Sequence, residues 1–364
     1  MNRDKRGSDI LKELSTIDIK CGTDQLYDDF VIPSSKYDNF KLALKDYENR
    51  ATVTESFPPF LVIGPTNVCN LKCTLCPTTH NTVEPTGFMD FGAYTAIIDE
   101  AAPYSLGVSL YNWGESLLHP NLVDMIRYAH EKQMLTRISS NLSLQRDEDY
   151  FRALCESGLD ILRVDLDGMT QATYEAYRRL GKVDLVKRNL ERMCELRARL
   201  NVPMKIEVVM LAFSHNEQEF HDFTEYCSQL AIDKSIISKI KINPEQTREW
   251  LPEDSSYVYD NYLDDTAYPE DNRCSRIYFT AVVEWNGDVM PCCTCYGTIN
   301  KFGNMFESGQ TLRDIWNNER FVAARSLFTQ KPISEPVTLC HKCKNRLGSP
   351  SVPRINGSWA LSLP

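Results

Sequence analysis

The sequence lacks a long apolar segment, an excess of basic residues and an export signal. No apolar run approaches the roughly 18 residues that a membrane helix needs, so we expect no membrane partner. The net charge is −10, and the basic footprint of a nucleic-acid-binding protein is missing. Residues 1–9 carry charge with no apolar stretch behind them, which does not predict a secretory signal.

Cysteine, by contrast, is abundant, with 13 residues in a chain of 364. Without an export signal we expect the reducing cytoplasm, where clustered cysteines bind metals and disulfides are rare. The isolated cysteines are predicted to be small buried apolar residues; they are Cys21, Cys155, Cys194 and Cys227. The chain is longer than the roughly 250 to 300 residues at which one core stops growing, which predicts a large domain and a smaller one.

Three cysteines in residues 67–77 carry the strongest chemical information. Cys69, Cys73 and Cys76 form C-x3-C-x2-C after the apolar run 60–63, which predicts a short buried strand. Three thiolates can hold three irons of a [4Fe–4S] cube and leave the fourth iron open. The alternatives are a zinc site or three unconnected buried thiols. Zinc ligands usually come as two C-x2–4-C pairs, so this spacing fits zinc poorly.

Strand-like and helix-like segments alternate from residue 58 to residue 244, which predicts parallel βαβ units. The candidate strands are 60–63, 107–111, 136–140, 161–166, 206–211 and 236–242. The candidate helices include 122–133, 150–157, 185–200 and 217–229. Residues 1–55 are polar with a helical pattern at 40–47, and we expect them to pack on the main domain as an extension.

The cysteine triplet after a first strand resembles the cluster motif of radical S-adenosylmethionine (SAM) enzymes. In that family the methionine end of SAM chelates the open iron, and an electron from the cluster cleaves SAM to a 5′-deoxyadenosyl radical. The resemblance implies an α/β fold, a partial (β/α)6 barrel, with its chemistry at the C-terminal ends of the strands. The family usually has an aromatic residue before the third cysteine. Leu75 stands there, which weakens a packing contact at the cofactor but removes no ligand.

Three further strand ends resemble SAM-binding elements of this family. Residues 111–120 resemble its Gly-Gly-Glu-Pro element, which receives the SAM amino group, and only Gly114 and Glu115 match it cleanly. Ser139 and Asn141 resemble a Ser/Thr-Asn-Gly ending, which implies hydrogen bonds to the ribose and the methionine carboxylate. Asp165 stands where relatives have serine and is expected to bond the ribose hydroxyls. Taken alone, each element also fits an ordinary turn or strand end.

Two neighbouring features have simpler interpretations. His119, before Pro120, is predicted to be a structural residue at a helix entry. Arg178 and Arg179 recur as a pair in close relatives, and we expect them on a solvated helix face. The alternative is that one of them pairs with the SAM carboxylate.

A second cysteine set begins where the alternation of strands and helices stops, near residue 266. Residues 286–288, Asn-Gly-Asp, predict a tight hairpin turn after the apolar run 277–283, and a helix is predicted over 312–327. The cysteines of this region are Cys274, Cys292, Cys293, Cys295, Cys340 and Cys343. By themselves they are equally compatible with structural zinc and with an iron–sulfur cluster.

The order Cys274-x12-Gly287-x4-Cys292, followed by a C-x2-C pair, resembles the auxiliary-cluster domain SPASM and its short form, twitch. No cysteine follows Cys343, which implies the short form with one additional [4Fe–4S] cluster. Its implied ligands are Cys274, Cys292, Cys340 and Cys343. The implied domains are an extension, 1–55, a radical SAM partial barrel, 56–265, and a small α+β twitch domain, 266–364.

Two cysteines are surplus to this ligand set. Cys293 is predicted to be a packing residue. Cys295 is either an alternative ligand or a catalytic thiol that donates hydrogen to a substrate radical.

Together the two motif sets resemble twitch-type alcohol dehydrogenases of aminocyclitol antibiotic biosynthesis. This implies two [4Fe–4S] clusters, SAM, a small sugar or cyclitol substrate oxidised to a ketone, and a reducing donor such as flavodoxin or ferredoxin. An epimerase with a cysteine hydrogen donor and a peptide-modifying maturase are alternative enzymes. A zinc-stabilised binding module is the alternative outside enzymology. Pocket residues are expected at several strand ends and in the C-terminal segment 352–364.

The substitution Cys69→Ala removes one of the three thiolates and is expected to abolish SAM cleavage. The measurement is the 5′-deoxyadenosine formed anaerobically with a chemical reductant. Normal 5′-deoxyadenosine production by the variant would contradict the assignment of the triplet.

Overall fold

One nine-stranded sheet forms the centre of the part of the chain that the structure describes. The computed structural model describes residues 5–6, 31–80, 85–240, 248–258, 274–307 and 309–343. The strands of the large sheet are β3 (Phe60–Ile63), β4 (Gly107–Ser109), β5 (Leu135–Ser140), β6 (Ile161–Asp165), β7 (Lys205–Leu211), β8 (Lys234–Ser238), β9 (Thr280–Val283), β10 (Asp288–Met290) and β11 (Gly303–Asn304). Two further strands, β1 (Lys5–Arg6) and β2 (Val31–Ile32), pair antiparallel with each other.

The helices are α1 (Ser34–Glu48), α2 (Pro77–His80), α3 (Phe91–Ala101), α4 (Leu122–Glu131), α5 (Glu148–Cys155), α6 (Gln171–Tyr177), α7 (Val183–Leu200), α8 (Phe220–Gln229), α9 (Arg276–Phe279), α10 (Leu312–Trp316) and α11 (Glu319–Ser326). Short 3-10 turns lie at Ser116–Leu118, Glu217–Glu219, Arg248–Trp250, Ser255–Tyr257, Thr298–Asn300 and Leu339–Lys342. No helix in the described part of the chain has the length and apolar character needed to cross a membrane.

Strands β3 to β8 are parallel and lie side by side in chain order, with helices between them. This confirms the α/β fold and the six predicted strand positions. The first predicted strand, Phe60–Ile63, is reproduced in full. The sixth begins two residues before the predicted 236–242 and ends at Ser238, and residues 241–242 lie outside the described residues.

The predicted hairpin forms, but it extends the barrel sheet. Strand β9 pairs in parallel with β3, from Phe60↔Thr280 to Ile63↔Val283, and β10 returns antiparallel to β9. Gly287 has a φ of +83°, which glycine adopts at little cost, as the Asn-Gly turn predicted. The division into three domains stays a prediction, and its boundary at 265–266 lies outside the described residues.

Two elements of the C-terminal region differ from the prediction. The apolar run 277–283 begins as a helical turn, α9, before it becomes β9. The predicted helix 312–327 is two helices, because the side chain of Asn318 accepts hydrogen bonds from the backbone N–H groups of Arg320 and Phe321 and starts α11 anew.

The two faces of the parallel strands differ in polarity because successive side chains alternate. Ile138, Val164 and Val208 join the main hydrophobic core with residues of the surrounding helices. On the opposite face, Arg137 and Glu207 form an ion pair at 2.8 Å, with side chains 2% and 1% exposed. The barrel is therefore apolar toward its helices and polar on its other side.

The described part of the N-terminal extension packs on the main domain, as predicted, because the Asn39 amide of α1 donates hydrogen bonds to the carbonyls of Phe57 and Tyr104. It also packs on α9. Phe40 and Tyr47 of α1 contact the ring of Phe279, and they share a cluster with Ile277 and Tyr278. Cys155, Cys194 and Cys227 are buried in the main core, as expected. Cys21 and segment 352–364 lie outside the described residues.

The buried ion pair between Arg137 and Glu207 provides a test of the fold. Arg137→Met leaves the buried side chain of Glu207 without this cation, and we expect a loss of about 3–5 kcal/mol in the free energy of unfolding. The double variant Arg137→Met/Glu207→Leu should recover most of this loss, measured by urea denaturation. The exposed pair Arg127–Asp124 is the control, and Arg127→Met should cost less than about 1 kcal/mol. Equal losses in the two single variants would contradict the interpretation.

Candidate iron–sulfur and SAM site

The three early cysteines lie within electrostatic reach of one another on the loop after β3. Cys73 is buried, and Cys69 and Cys76 are half-buried. Burial raises the pKa of Cys69 to about 12, and the charges of Cys73 and Cys76 act in the same direction. Burial also raises the pKa of Cys73 to about 11, although the charge of Arg178 opposes the shift. Three thiols on one loop, each within electrostatic reach of the others, fit a cluster held at three of its irons.

Backbone hydrogen bonds hold this loop in place. The N–H groups of Lys72 and Thr74 donate to the carbonyls of Arg179 and Tyr177, each at 3.0 Å. These bonds join the cysteine loop to the end of α6. The position of the sulfurs thus depends on a segment about a hundred residues further along the chain.

Gly114 brings the loop after β4 against the cysteine loop. Its φ is +93°, and a Cβ placed there would lie 2.5 Å from the carbonyl oxygen of Thr66. The next residue, Glu115, donates its N–H to the carbonyl of Val68 at 2.8 Å. Glycine is therefore needed both for the backbone conformation and for the close approach.

The carboxylate of Glu115 connects three of the predicted elements. It is 2% exposed and accepts hydrogen bonds from Leu117 N–H, Ser140 Oγ and Asn141 N–H at 2.8–3.0 Å. Burial raises the pKa of Glu115, while these hydrogen bonds oppose the shift. The side chain of Asn141 donates to Asn70 Oδ1 at 3.0 Å, next to Cys69. Glu115 and Asn141 thus brace the cysteine loop, and their contacts to SAM stay a prediction.

A second polar chain contains Ser139, Asp165 and Arg178. Ser139 Oγ donates to Asp165 at 3.1 Å, and Arg178 lies 3.6 Å from Asp165. Arg178 also donates to Asp167 at 2.5 Å and to the sulfur of Cys73 at 3.9 Å. Its side chain is only 13% exposed, so the expectation of a solvated Arg178 is wrong. The guanidinium of Arg178 is buried against two carboxylates and near a thiol, so it lies inside the site. The local sequence does not indicate these contacts.

Two other predicted residues lie beside the loop. His119 is buried, with Nε2 2.9 Å from the carbonyl of Met89 and Nδ1 accepting from Asn121 N–H, which confirms its structural role. Leu75 is half-buried before the third cysteine, and its contact with the cofactor stays a prediction.

The second cysteine set also converges. Burial raises the pKa of Cys340 well above its ordinary value, and Cys274, Cys292 and Cys343 add to the shift. All four predicted ligands of the auxiliary cluster therefore lie within electrostatic reach of one another. Among the described residues, no group of three or more His, Cys, Asp or Glu side chains has the arrangement needed to bind a single metal ion.

The two surplus cysteines have different surroundings. Cys293 accepts a hydrogen bond from Arg276 at 2.6 Å. Cys295 is buried, and its sulfur lies 3.4 Å from that of Cys292. Their interaction lowers the pKa of Cys292 and raises that of Cys295. This position favours Cys295 as an alternative ligand over a hydrogen donor, and both roles stay predictions.

A cleft lies between the two cysteine regions. Its enclosed volume is about 30 Å³, which rises to about 370 Å³ when the solvent-open space at its mouth is included. Asn67 and Trp113 line one side. Glu284, Trp285 and Tyr296 line the other. No local sequence pattern indicates this cleft, because its walls come from segments that lie far apart in the chain.

Trp113 connects the two sides of the cleft. Its indole N–H donates to the carbonyl of Cys295 at 2.8 Å, and its ring meets Tyr296 edge to face at 5.3 Å. In the sequence, Trp113 stands where the Gly-Gly-Glu-Pro element has its first glycine. In the structure, Trp113 joins the loop after β4, which we call the SAM-motif loop, to the second cysteine set.

The fold and the two cysteine sets define a class of iron–sulfur proteins. A model of the radical SAM superfamily matches residues 63–227, and a model of the iron–sulfur cluster-binding domain SPASM matches residues 274–344. The chain therefore contains a radical SAM domain followed by a SPASM domain. These domains imply a SAM-binding [4Fe–4S] cluster, SAM itself and auxiliary iron–sulfur binding.

Individual relatives extend the comparison. The chain is 25% identical over 305 residues to the tungsten-containing aldehyde ferredoxin oxidoreductase cofactor-modifying protein of Pyrococcus furiosus, covering 72% of this chain and 82% of that one. It is 23% identical to a probable GTP 3′,8-cyclase of Methanococcus aeolicus, covering 68% and 88%. Streptococcus suis SuiB bound to SAM superposes with a TM-score of 0.63 at 16% identity, covering 89% and 78%. This likeness shows the shared fold.

Gly114 provides the test of this site. Gly114→Ala adds a strained backbone, worth about 1–2 kcal/mol, and a clash with Thr66. We expect weaker SAM binding and a lower rate of 5′-deoxyadenosine formation. Gly309→Ala is the matched control, because Gly309 has a φ of +65° but no atom of the described residues lies within 4 Å of an added Cβ. Equal SAM affinities of the two variants would show that the close approach at Gly114 is unimportant.

Proposed function

We propose that the protein is a radical SAM oxidoreductase that oxidises a carbinol of a small sugar or cyclitol. The observation that carries the proposal is the cleft between the loops after β3 and β4 and the hairpin of β9 and β10. A substrate bound there contacts residues adjacent to both cysteine sets, namely Asn67, two positions before Cys69, and Tyr296, directly after Cys295. Hydrogen-atom removal and electron removal then occur at one bound molecule.

The proposed ligand sets follow the cysteine geometry. Cys69, Cys73 and Cys76 hold the cluster that binds SAM, and Cys274, Cys292, Cys340 and Cys343 hold one auxiliary [4Fe–4S] cluster. When bound, the first cluster with SAM supplies a 5′-deoxyadenosyl radical for hydrogen abstraction, and the auxiliary cluster supplies an electron acceptor. A reducing donor such as flavodoxin or ferredoxin in the cytoplasm provides the initiating electron.

The chain's own residues position SAM and limit water access. Gly114 and Glu115 shape the loop proposed to receive the SAM amino group. Ser139, Asn141 and Asp165 present hydroxyl, amide and carboxylate groups at neighbouring strand ends for the ribose and the methionine carboxylate. Holding both reactants in one enclosed place confines a reactive radical to its target.

Arg178 and Trp113 act through their neighbours. Arg178 neutralises Asp165 and Asp167 next to Cys73, which keeps this edge of the site from accumulating negative charge. Trp113 ties the loop of Gly114 to Cys295 and so fixes the spacing between the two halves of the site.

A second candidate is the radical modification of a nucleotide or cofactor. It is favoured by the similarity to the Pyrococcus furiosus cofactor-modifying protein over 72% of this chain and to a probable GTP 3′,8-cyclase over 68%. The same cleft serves this candidate, since Trp113, Trp285 and Tyr296 offer aromatic faces on which a base stacks. GTP therefore belongs in any substrate panel beside cyclitols and amino sugars.

Mass spectrometry of the product in deuterated buffer tests the proposed reaction. Oxidation gives a product two mass units lighter than the substrate, with no solvent deuterium retained on carbon. An epimerase preserves the substrate mass except for one solvent-derived deuterium. Consumption of GTP, with the cyclitols and amino sugars unchanged, would support the second candidate and contradict the first.

Replacing Cys295 separates the two roles proposed for its thiol. Cys295→Ala should stop an epimerisation that needs a cysteine hydrogen donor, but it should spare a dehydrogenation in which Cys274, Cys292, Cys340 and Cys343 hold the auxiliary cluster. The iron content of the variant shows whether Cys295 is a ligand. Complete loss of oxidation with unchanged iron and unchanged SAM cleavage would contradict the proposed dehydrogenase.

A further inference from the structure

Glu284 places a carboxylate in the cleft between the two cysteine regions. It follows β9 directly, at the start of the hairpin turn, and is half-buried. One oxygen, Oε1, accepts a hydrogen bond of 2.5 Å from the amide of Asn112. Within the described residues, no hydrogen bond to the other oxygen, Oε2, is present. The side chain thus has one anchored oxygen and one oxygen available to a ligand.

The neighbouring backbone leaves space for this carboxylate. Gly64 follows β3, and a Cβ placed on it would lie only 2.6 Å from Oε2 of Glu284. The N–H of Gly64 donates to the carbonyl of Val283, so the two segments are fixed against each other. Glycine at position 64 is what allows the carboxylate to occupy this place.

The other cleft walls combine aromatic rings with amide groups. Trp113 and Trp285 contribute rings, and Asn67 and Asn286 contribute amides. Aromatic faces pack against the C–H surface of a polyol ring, whereas carboxylate and amide groups accept and donate hydrogen bonds at its hydroxyls. This combination suits a polyhydroxylated ring better than an apolar or a polyanionic ligand.

We propose that the cleft binds the reacting polyol and that Oε2 of Glu284 accepts the proton of the carbinol hydroxyl. The assignment rests on the proposed function and supplies the base that an alcohol oxidation requires. In the loaded enzyme, the first cluster with SAM would supply the acceptor of one hydrogen atom from the carbinol, the auxiliary cluster would supply the acceptor of one electron, and Glu284 takes the proton. The C–H and O–H bonds break and the C=O bond forms, so atoms and electrons balance.

The ionisation of Glu284 suits this role. Burial raises its pKa to about 7, the hydrogen bond from Asn112 opposes the shift, and the charge of Asp288 adds to it. A base with a pKa near the working pH can both accept and release a proton. The other ionisable groups in the cleft wall are Asp288 and Tyr296, and Asp288 is paired with Lys301 at 3.1 Å.

Calorimetric titration of the reconstituted holoenzyme with SAM tests the binding step. The probes are scyllo-inositol and scyllo-inosamine at pH 6 and pH 8. If binding needs the ionised carboxylate of a group with a pKa of about 7, affinity should rise about tenfold over this interval. Absence of binding by both probes to the wild type would overturn the assignment of the cleft to a polyol.

Two substitutions alter the carboxylate in different ways. Glu284→Gln keeps the size and the acceptor for Asn112 but removes the charge, and Gly64→Ala keeps the charge but displaces Oε2. Both should abolish the pH dependence of binding. The matched control is Glu55→Gln, on an exposed carboxylate 3.5 Å from Lys45, which should retain it. Iron content shows whether each variant has kept its clusters.

Turnover with a substrate that the wild type oxidises completes the test. Glu284→Gln should still form 5′-deoxyadenosine while the ketone falls at least tenfold, and its rate should lose the acid limb near pH 7. An unchanged ketone yield and pH profile in this variant would overturn the assignment of Glu284 and leave the proposed function intact. If the wild type binds the probes with the expected pH dependence but forms no lighter product from any polyol, the oxidation itself is wrong.

Discussion

The parallel pairing of β9 with β3 is the interaction on which the rest of the site depends. Four successive residue pairs, from Phe60↔Thr280 to Ile63↔Val283, join the strand before the first cysteine loop to the strand before the hairpin. Beyond the strands, Gly64 still bonds the carbonyl of Val283. Because parallel strands end at the same edge of a sheet, Glu284 lies next to the segment that leads to Cys69. On the same strands, Val62 and Val282 pack with Cys292, Cys293 and Cys295.

The residues that carry the family motifs also hold the site together. Glu115 is a buried brace between the loop after β4 and the end of β5, and Arg178 is a buried cation between two carboxylates and a thiol. A buried charge is stable only when it is paired and hydrogen-bonded, so each of these groups depends on its partners for its position. The geometry around the cysteine loop is thereby fixed from the ends of β4, β5 and β6. Substitutions at these positions alter loop geometry as well as any contact to SAM.

Much of the fold and the cysteine sets could be predicted from the sequence. The strand positions follow from runs such as Phe60–Ile63, because hydrophobic periodicity is a local property. The convergence of Cys274, Cys292, Cys340 and Cys343 was implied by their resemblance to a known spacing. The predicted solvent exposure of Arg178 was wrong. The local sequence around a charged residue after a helix is the same whether its side chain faces water or a buried carboxylate.

Long-range pairing accounts for the features that sequence reasoning missed. The hairpin joins the barrel sheet because β9 pairs with β3, and these two strands are separated by more than two hundred residues in the chain. Trp113 and Glu284 became part of a site only through that pairing, since neither stands in a motif that assigns it a role. The prediction of one continuous helix over 312–327 was wrong for a local reason, because the side chain of Asn318 caps the start of a second helix.

Electron paramagnetic resonance of the reduced first cluster, recorded with and without SAM, tests the central claim most directly. A variant with Cys340 and Cys343 replaced by alanine removes the overlapping auxiliary signal. If Cys69, Cys73 and Cys76 hold three irons and leave one open, SAM labelled with ¹⁷O in its carboxylate should change the spectrum through coordination of that iron. A spectrum that SAM leaves unchanged would contradict the account.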